Sequence, residues 1–216
     1  MFTGLIQDVG RLAGVQRTGN EAMLRISSSL APYANGESIA VNGACLSVVS
    51  SDGPHFNVFA SAETLEKTRL GQLAPGTSVN LERAMTLSDP LGGHLVTGHV
   101  DARVSLLQRS RDNRAGRFVF SLPADPVLRS QIAPKGSVAL DGVSLTVNTV
   151  TDHSFEVMII PLTAEQTTLG RLSDGDEVHL ETDLIAKYVA RMLDREHPGA
   201  GTSITLELLA NSGFVR

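Results

Sequence analysis

The feature that most constrains this chain is a twelve-residue phrase that it carries twice: SIAVNGACLSVV, Ser38 to Val49, and SVALDGVSLTVN, Ser137 to Asn148. In each copy an apolar run reaches Asn-Gly or Asp-Gly and then resumes as alternating apolar and small polar residues. Those dipeptides favour the positive φ angles of a two-residue hairpin turn. Past the turn, Cys45 and Ser47 in one copy, and Ser144 and Thr146 in the other, stand two apart. Residues two apart in a strand share a face. Each copy therefore presents two small hydrogen-bonding or nucleophilic groups to one surface, and the chain is expected to act through two related sites.

The repeat runs well beyond the hairpin. An offset of 99 positions sets Val41 on Leu140, Leu70-Gly71-Gln72-Leu73 on Leu169-Gly170-Arg171-Leu172, Leu81-Glu82 on Leu180-Glu181, Thr64 on Thr163 and Thr68 on Thr167. Near the start the offset is 94, with Thr3-Gly4 on Thr97-Gly98 and Ile6 on Val100. The five extra residues are expected in the loop between the first and second strands, where insertion is tolerated. The division is into units 1–93, 94–186 and 187–216, with MTLSDPLGG (Met85 to Gly93) as the linker.

Within each copy the periodicity is that of short strands. Glu21–Ser27, Ser38–Val41, Cys45–Val49, His55–Ala60 and Ser78–Leu81 are expected in the first. Arg117–Leu122, Val138–Leu140, Ser144–Val150, Ser154–Ile160 and Glu177–Leu180 are expected in the second. Many short strands at even spacing predict an all-β sandwich or barrel. Short helices are expected at Ser61–Leu70 and Thr163–Leu169, with Ser or Thr followed by Glu as the N-terminal cap. After Asp183 the period becomes helical, through Leu184, Ile185, Tyr188, Val189, Met192 and Leu193, ending before His197-Pro198-Gly199; a further apolar segment carries Ile204, Leu206, Leu208 and Leu209. The apolar stripe of such a helix must be buried, on its own barrel or against other subunits.

Composition narrows the class. A net charge of -5 without a basic stripe gives no sign of nucleic-acid binding. No apolar run could span a membrane, and MFTGLIQDVG lacks the pattern of a signal peptide. The single cysteine excludes an intramolecular disulfide and fits a reducing, cytoplasmic setting.

Several residues could carry chemistry. Cys45 is a potential nucleophile or a small buried apolar residue, and its repeat partner Ser144 argues for a polar position. His94 and His99 are five apart and would lie on opposite faces of a strand, poor joint metal ligands; no metal motif occurs. His99 aligns with Leu5, so one half has a titratable group where the other is apolar. Lys135 reads as a solvated loop residue and Asp141 as a turn residue. Glu63, Thr64, Thr163 and Glu165 are placed at the starts of the short helices, as caps or as neighbours of exposed N–H groups. Phosphate-binding loops and nucleophile elbows are missing.

MFTGLIQDVG, VNGACLSV, GGHLVTGHVD, LDGVSLTVN, the two Thr-x-x-x-Thr-x-Leu-Gly stretches and SITLELLANSGF together resemble the riboflavin synthase family, alpha-chain type, across essentially the whole chain. The resemblance implies two tandem six-stranded Greek-key barrels and a C-terminal α-helix, assembled as a homotrimer through those helices. It implies dismutation of two molecules of 6,7-dimethyl-8-ribityllumazine to riboflavin and 5-amino-6-(ribitylamino)uracil, without metal or redox cofactor, at sites between subunits. Lumazine synthase is a further partner to consider.

Carried onto this sequence, the resemblance lines the N-terminal pocket with Gly4, Leu5, Ile6, Ser38, Cys45, Leu46, Ser47, Phe59, Ala60, Ser61, Ala62, Glu63 and Thr64. The C-terminal pocket takes Gly98, His99, Val100, Lys135, Ser144, Leu145, Thr146, Ile160, Pro161, Leu162, Thr163, Ala164 and Glu165. His99 and the hydroxyls of Ser144 and Thr146 would assist proton transfer, Cys45 or a water would attack, and Ser38 is a further catalytic candidate. One departure stands out: Ile160-Pro161-Leu162-Thr163 has Leu162 where the family commonly has Glu. The competing expectation is a non-catalytic, antenna-type lumazine- or flavin-binding relative of the same fold.

Overall fold

The computed structural model describes residues 1–112 and 115–196; the apolar segment around Ile204 to Leu209 lies outside the described residues. The first six strands are β1 (Asp8–Thr18), β2 (Glu21–Ser27), β3 (Ser38–Val41), β4 (Ala44–Asp52), β5 (His55–Ala60) and β6 (Ser78–Arg83). They close into a barrel in the order β1-β2-β5-β4-β3-β6. The second barrel repeats this with β7 (Ala102–Asp112), β8 (Ala115–Ser121), β9 (Ser137–Leu140), β10 (Val143–Val150), β11 (Ser154–Ile159) and β12 (Glu177–Thr182). In each, three successive antiparallel strands are followed by a fourth that returns beside the first of them, which is a Greek key. Among the described residues the α-helices are α1 (Ala62–Lys67), α2 (Pro126–Ser130), α3 (Pro161–Gln166) and α4 (Leu184–Glu196). Among the described residues no helix is long and apolar enough to cross a membrane.

Alternation drives the strands. In β2, Ala22, Leu24 and Ile26 point into the first barrel, and in β8, Phe118 and Phe120 point into the second, where Phe120 stacks on Phe155 at 5.8 Å. The first strand of each barrel escapes the pattern because its register slips, between Leu12 and Gly14 in β1 and between Leu106 and Gln108 in β7. A bulge breaks the two-residue period that marks a strand in sequence. The five-residue insertion is not where the offsets placed it. Two residues separate β1 from β2, and two separate β7 from β8. The extra length falls between β8 and β9, where it builds α2. Sequence matching was too sparse across the first strands to locate the change.

Both repeated turns have positive φ at both central residues, 45° and 81° at Asn42-Gly43, 44° and 80° at Asp141-Gly142. The tips of these hairpins pack against each other on the pseudo-twofold axis relating the barrels. A Cβ on Gly43 would lie 2.7 Å from the Gly142 nitrogen, and one on Gly142 would lie 2.8 Å from that of Gly43. The turns are tied into a buried polar seam. The Asn80 side chain donates to the Asp141 carbonyl at 2.9 Å and accepts from the Thr168 N–H at 2.8 Å. Its repeat partner His179 does the same with two ring nitrogens: Nδ1 donates to the Asn42 carbonyl at 2.7 Å, and Nε2 accepts from the Arg69 N–H at 2.8 Å. An amide and an imidazole thus satisfy the same pair of backbone groups across the seam.

Phe2, Val96, Ala40 and Ala139 form a small apolar cluster between the barrels, with Phe2 and Val96 exchanging backbone hydrogen bonds of 2.7 and 3.1 Å. Phe2 is completely buried there. Phe2→Ala is expected to lower unfolding free energy by about 3–5 kcal/mol, because removing a buried phenyl leaves a cavity that the two barrels close only partly. Equilibrium denaturation measures it, and a loss below roughly 1 kcal/mol would mean the barrels stay docked without this contact.

Candidate active site

Each barrel carries a cavity on its outer surface, between the repeated hairpin and the short helix that follows the fifth strand. The hairpin strands β4 and β10 turn Leu46 and Leu145 into the barrel cores. The opposite face holds Cys45, half buried, and exposed Ser47; in β10 it holds Ser144, half buried, and exposed Thr146. The polar pairs therefore project outward, as their spacing requires. Cys45 and Ser144 reach the cavities. Ser47, paired with Ser38, and Thr146, paired with Ser137, stand further along the same faces, outside the cavity walls.

The linings are exchanged between the halves. The first cavity, of about 190 Å³, is formed by Ala44, Cys45, Glu63, Thr64, Lys67 and Thr68 of the N-terminal barrel together with Gly98, His99 and Val100. The second, of about 280 Å³, is formed by Val143, Ser144, Leu162, Thr163, Gln166 and Thr167 together with Gly4, Leu5 and Ile6. This corrects the sequence-based grouping, which kept each Thr-Gly segment with its own barrel.

Hydrogen bonding explains the exchange. The buried Glu82 carboxylate accepts from Thr3 N–H at 2.6 Å, Thr3 hydroxyl at 2.7 Å and Gly4 N–H at 3.0 Å, while the Gly4 carbonyl accepts from Ser144 N–H at 2.8 Å. Glu181 holds Thr97 and Gly98 in the same way, at 2.6, 2.7 and 2.9 Å, and the Gly98 carbonyl accepts from Cys45 N–H at 2.8 Å. Each segment is anchored by its own barrel and presented to the other. Both glycines have positive φ, and a Cβ would strike Ser144 or Cys45 at about 2.5 Å. Burial pushes the Glu82 carboxyl above its usual range, opposed by the donors from Thr3, Gly4 and Leu5.

The remaining expected residues are distributed as follows. Ser61 caps α1 by accepting from Thr64 N–H. Ala62 is exposed on that helix, and Ala60 is fully buried in the core. Phe59 lines a separate cavity with Gln16 and Met23. Lys135 is exposed in a left-handed turn, φ 67°, and its N–H donates to Val147. In α3, Ile160 is the N-cap residue and Pro161 opens the helix, so Thr163 and Glu165 do not cap it. Leu162 and Thr163 face the Ser144 cavity, whereas Pro161, Ala164 and Glu165 line a further cavity, of about 430 Å³, on the opposite face of α3.

His94 and His99 go to different cavities. His99 is exposed beside Cys45. His94, considered in sequence only as a metal ligand, is buried behind the other cavity with Nδ1 2.7 Å from Ser144 Oγ. Its Nε2 is buried and has no hydrogen-bond partner among the described residues. Burial holds the ring's pKa below the ordinary 6.5, with the Asp183 charge opposing. Neutral His94 and the Ser144 hydroxyl share this one hydrogen bond, its proton on the hydroxyl in one ring tautomer and on Nδ1 in the other. At the offset of 94, His94 aligns with no residue of 1–216, so the repeat carries no signal for it.

The barrels and their paired cavities define a class, tandem lumazine-binding domains: the family described as the lumazine binding domain matches residues 3–84 and 97–183. Riboflavin synthase of Mycobacterium tuberculosis is 42% identical over 200 residues, covering 89% of this chain and 98% of that protein. That of Bacillus subtilis is 36% identical over 217 residues, covering 99% and 100%. The chain belongs to the riboflavin synthase family. The structure of LumP complexed with 6,7-dimethyl-8-(1'-D-ribityl) lumazine superposes with a TM-score of 0.74 at 21% identity, over 84% of this chain and 99% of that one, a likeness of fold.

A native His94 with a lowered pKa binds fewer protons than the unfolded chain in the window just below pH 6.5, so stability falls as pH drops through it. The melting temperature of the wild type is expected to fall from pH 7.5 to about pH 5 more steeply than that of His94→Gln, which cannot titrate there. Parallel curves would show that His94 is protonated as readily in the native state as in the unfolded one.

Proposed function

We propose that this chain catalyses the dismutation of two 6,7-dimethyl-8-ribityllumazine molecules to riboflavin and 5-amino-6-(ribitylamino)uracil. The observation that carries this reading is the pair of cavities, built from equivalent positions and yet differing in their reactive groups. A reaction between two copies of one molecule calls for two similar pockets that treat their occupants differently. One lumazine must lose a proton from its C7 methyl group, and the other must be attacked by a nucleophile. Cys45 and His99 serve one cavity; Ser144, polarised by His94, serves the other. Ser38, Thr146 and Lys135 lie outside both cavity walls, and in this reading they orient the parts of the substrates that extend beyond them. Holding the two rings face to face supplies much of the acceleration, roughly 7–11 kcal/mol in well-oriented cases.

In this reading the N-terminal cavity of one subunit faces the C-terminal cavity of its neighbour in a homotrimer built through α4 and the residues after it. The support is the outer stripe of α4. Ile185, Tyr188, Val189, Met192 and Leu193 recur at helical spacing and all are exposed, so the stripe turns away from the barrel it follows.

Purified protein given 6,7-dimethyl-8-ribityllumazine alone is expected to generate riboflavin fluorescence, and Cys45→Ser to lower kcat more than it weakens binding. Tight binding without turnover would instead identify an antenna-type carrier. Truncation after Tyr188 is expected to give monomers with little activity by light scattering and assay; a fully active monomer would refute a site shared between subunits.

A further inference from the structure

Glu82 is 2% exposed and forms no salt bridge among the described residues. A carboxylate taken out of water without a cation is costly unless hydrogen-bond donors surround it. Its donors are the N–H and hydroxyl of Thr3 and the N–H of Gly4, two consecutive residues. Bonds to an ionised acceptor are shorter and about twice as strong as neutral ones, so this short run is held firmly.

The run in turn holds both members of the hydrogen-bonded pair at the C-terminal cavity. The Gly4 carbonyl accepts from the Ser144 N–H at 2.8 Å, and the Thr3 carbonyl accepts from the His94 N–H at 3.2 Å. Ser144 Oγ and His94 Nδ1 then meet at 2.7 Å. The backbone entering His94 is wedged in the same place: a Cβ on Gly93 would collide with the Thr3 carbonyl and lie 2.9 Å from Ser144 Oγ. Glu82 bonds to neither residue directly, and Ser144 belongs to the other barrel. Glu181 has the matching hold on Thr97 and Gly98, but its chain of bonds runs only to the Cys45 N–H, since the first copy has no residue equivalent to His94. We infer that Glu82 is a positioning residue for the His94–Ser144 pair, a carboxylate rooted in the N-terminal barrel that sets the placement of two groups at the C-terminal cavity. Its effect on turnover rests on the proposed reaction, whereas the placement can be read without substrate. A displacement of about 1 Å at a reacting group can cost on the order of a hundredfold in rate.

Glu82→Gln keeps the shape of the side chain but turns an NH2 group toward the Gly4 N–H or toward the Thr3 donors, so part of the anchor is lost. Two local reporters are read in the intact protein. One is the titration midpoint of the His94 ring by NMR, its signals assigned by their loss in His94→Gln. The other is the rate of Cys45 alkylation by iodoacetamide. Glu82→Gln is expected to raise the His94 midpoint toward the ordinary 6.5, as water reaches the loosened ring, and to leave Cys45 alkylation unchanged. Its kcat is expected to fall by up to about a hundredfold. Glu181→Gln, which weakens the same bonds at the repeated position, is expected to change the Cys45 rate and leave the His94 midpoint in place. Thr3→Val deletes the hydroxyl that bonds to Glu82 and is expected to move the His94 midpoint the same way by less; it decides the matter alone if Glu82→Gln does not fold. An unmoved His94 midpoint in either folded variant, or equal movement of both reporters in both glutamate variants, overturns the positioning role. A wild type that turns over no lumazine overturns the reaction, while the His94 midpoint still decides whether Glu82 positions the pair.

Discussion

The meeting of the two hairpin tips on the pseudo-twofold axis is the contact on which the rest of this molecule depends. Backbone approaches backbone at Gly43 and Gly142 with no room for a side chain. Buried groups of β6 and β12 then satisfy the turns: Asn80 bonds across to Asp141, and His179 bonds across to Asn42. An unpaired polar group here would carry a desolvation penalty of about 1–3 kcal/mol, so the seam locks one relative placement of the barrels. That placement lets Gly4 reach Ser144 and Gly98 reach Cys45, and so creates two composite cavities.

Duplication gives these cavities a common frame, and divergence within the frame gives them different chemistry. The retained elements are backbone devices: the Thr-Gly segment, the buried glutamate that holds it, and the carbonyl that accepts from the hairpin strand. The changed elements are side chains pointing into the cavities. Cys45 opposes Ser144, His99 opposes Leu5, and Glu63 opposes Leu162. Geometry is conserved between the halves while electrostatics is not. A bimolecular reaction of two identical substrates requires that combination.

Much was legible in the residues. The hairpins, the outward polar pairs, most strand limits and the terminal helix follow from period and turn chemistry, which act over a few neighbours. The bulged first strands β1 and β7 were not, because one extra residue moves every later side chain to the other face. Helix α2 was missed because it occupies an insertion with no counterpart in the first copy. The pairing of Glu82 with Glu181 was visible in the repeat, although its purpose was not.

What the sequence determined by itself is therefore the repeated unit: two barrels, each bringing a cysteine or serine and a short helix to one outer face. Only the tertiary structure decided which residues share a cavity. Gly98, His99 and Val100 join Cys45, Gly4 to Ile6 join Ser144, and His94 stands behind Ser144 rather than beside His99. The reason is physical. Local periodicity fixes which face a side chain takes within its own strand. Partnership across the pseudo-twofold axis is fixed by hydrogen bonds between residues some fifty to one hundred forty positions apart, and these leave no trace in spacing.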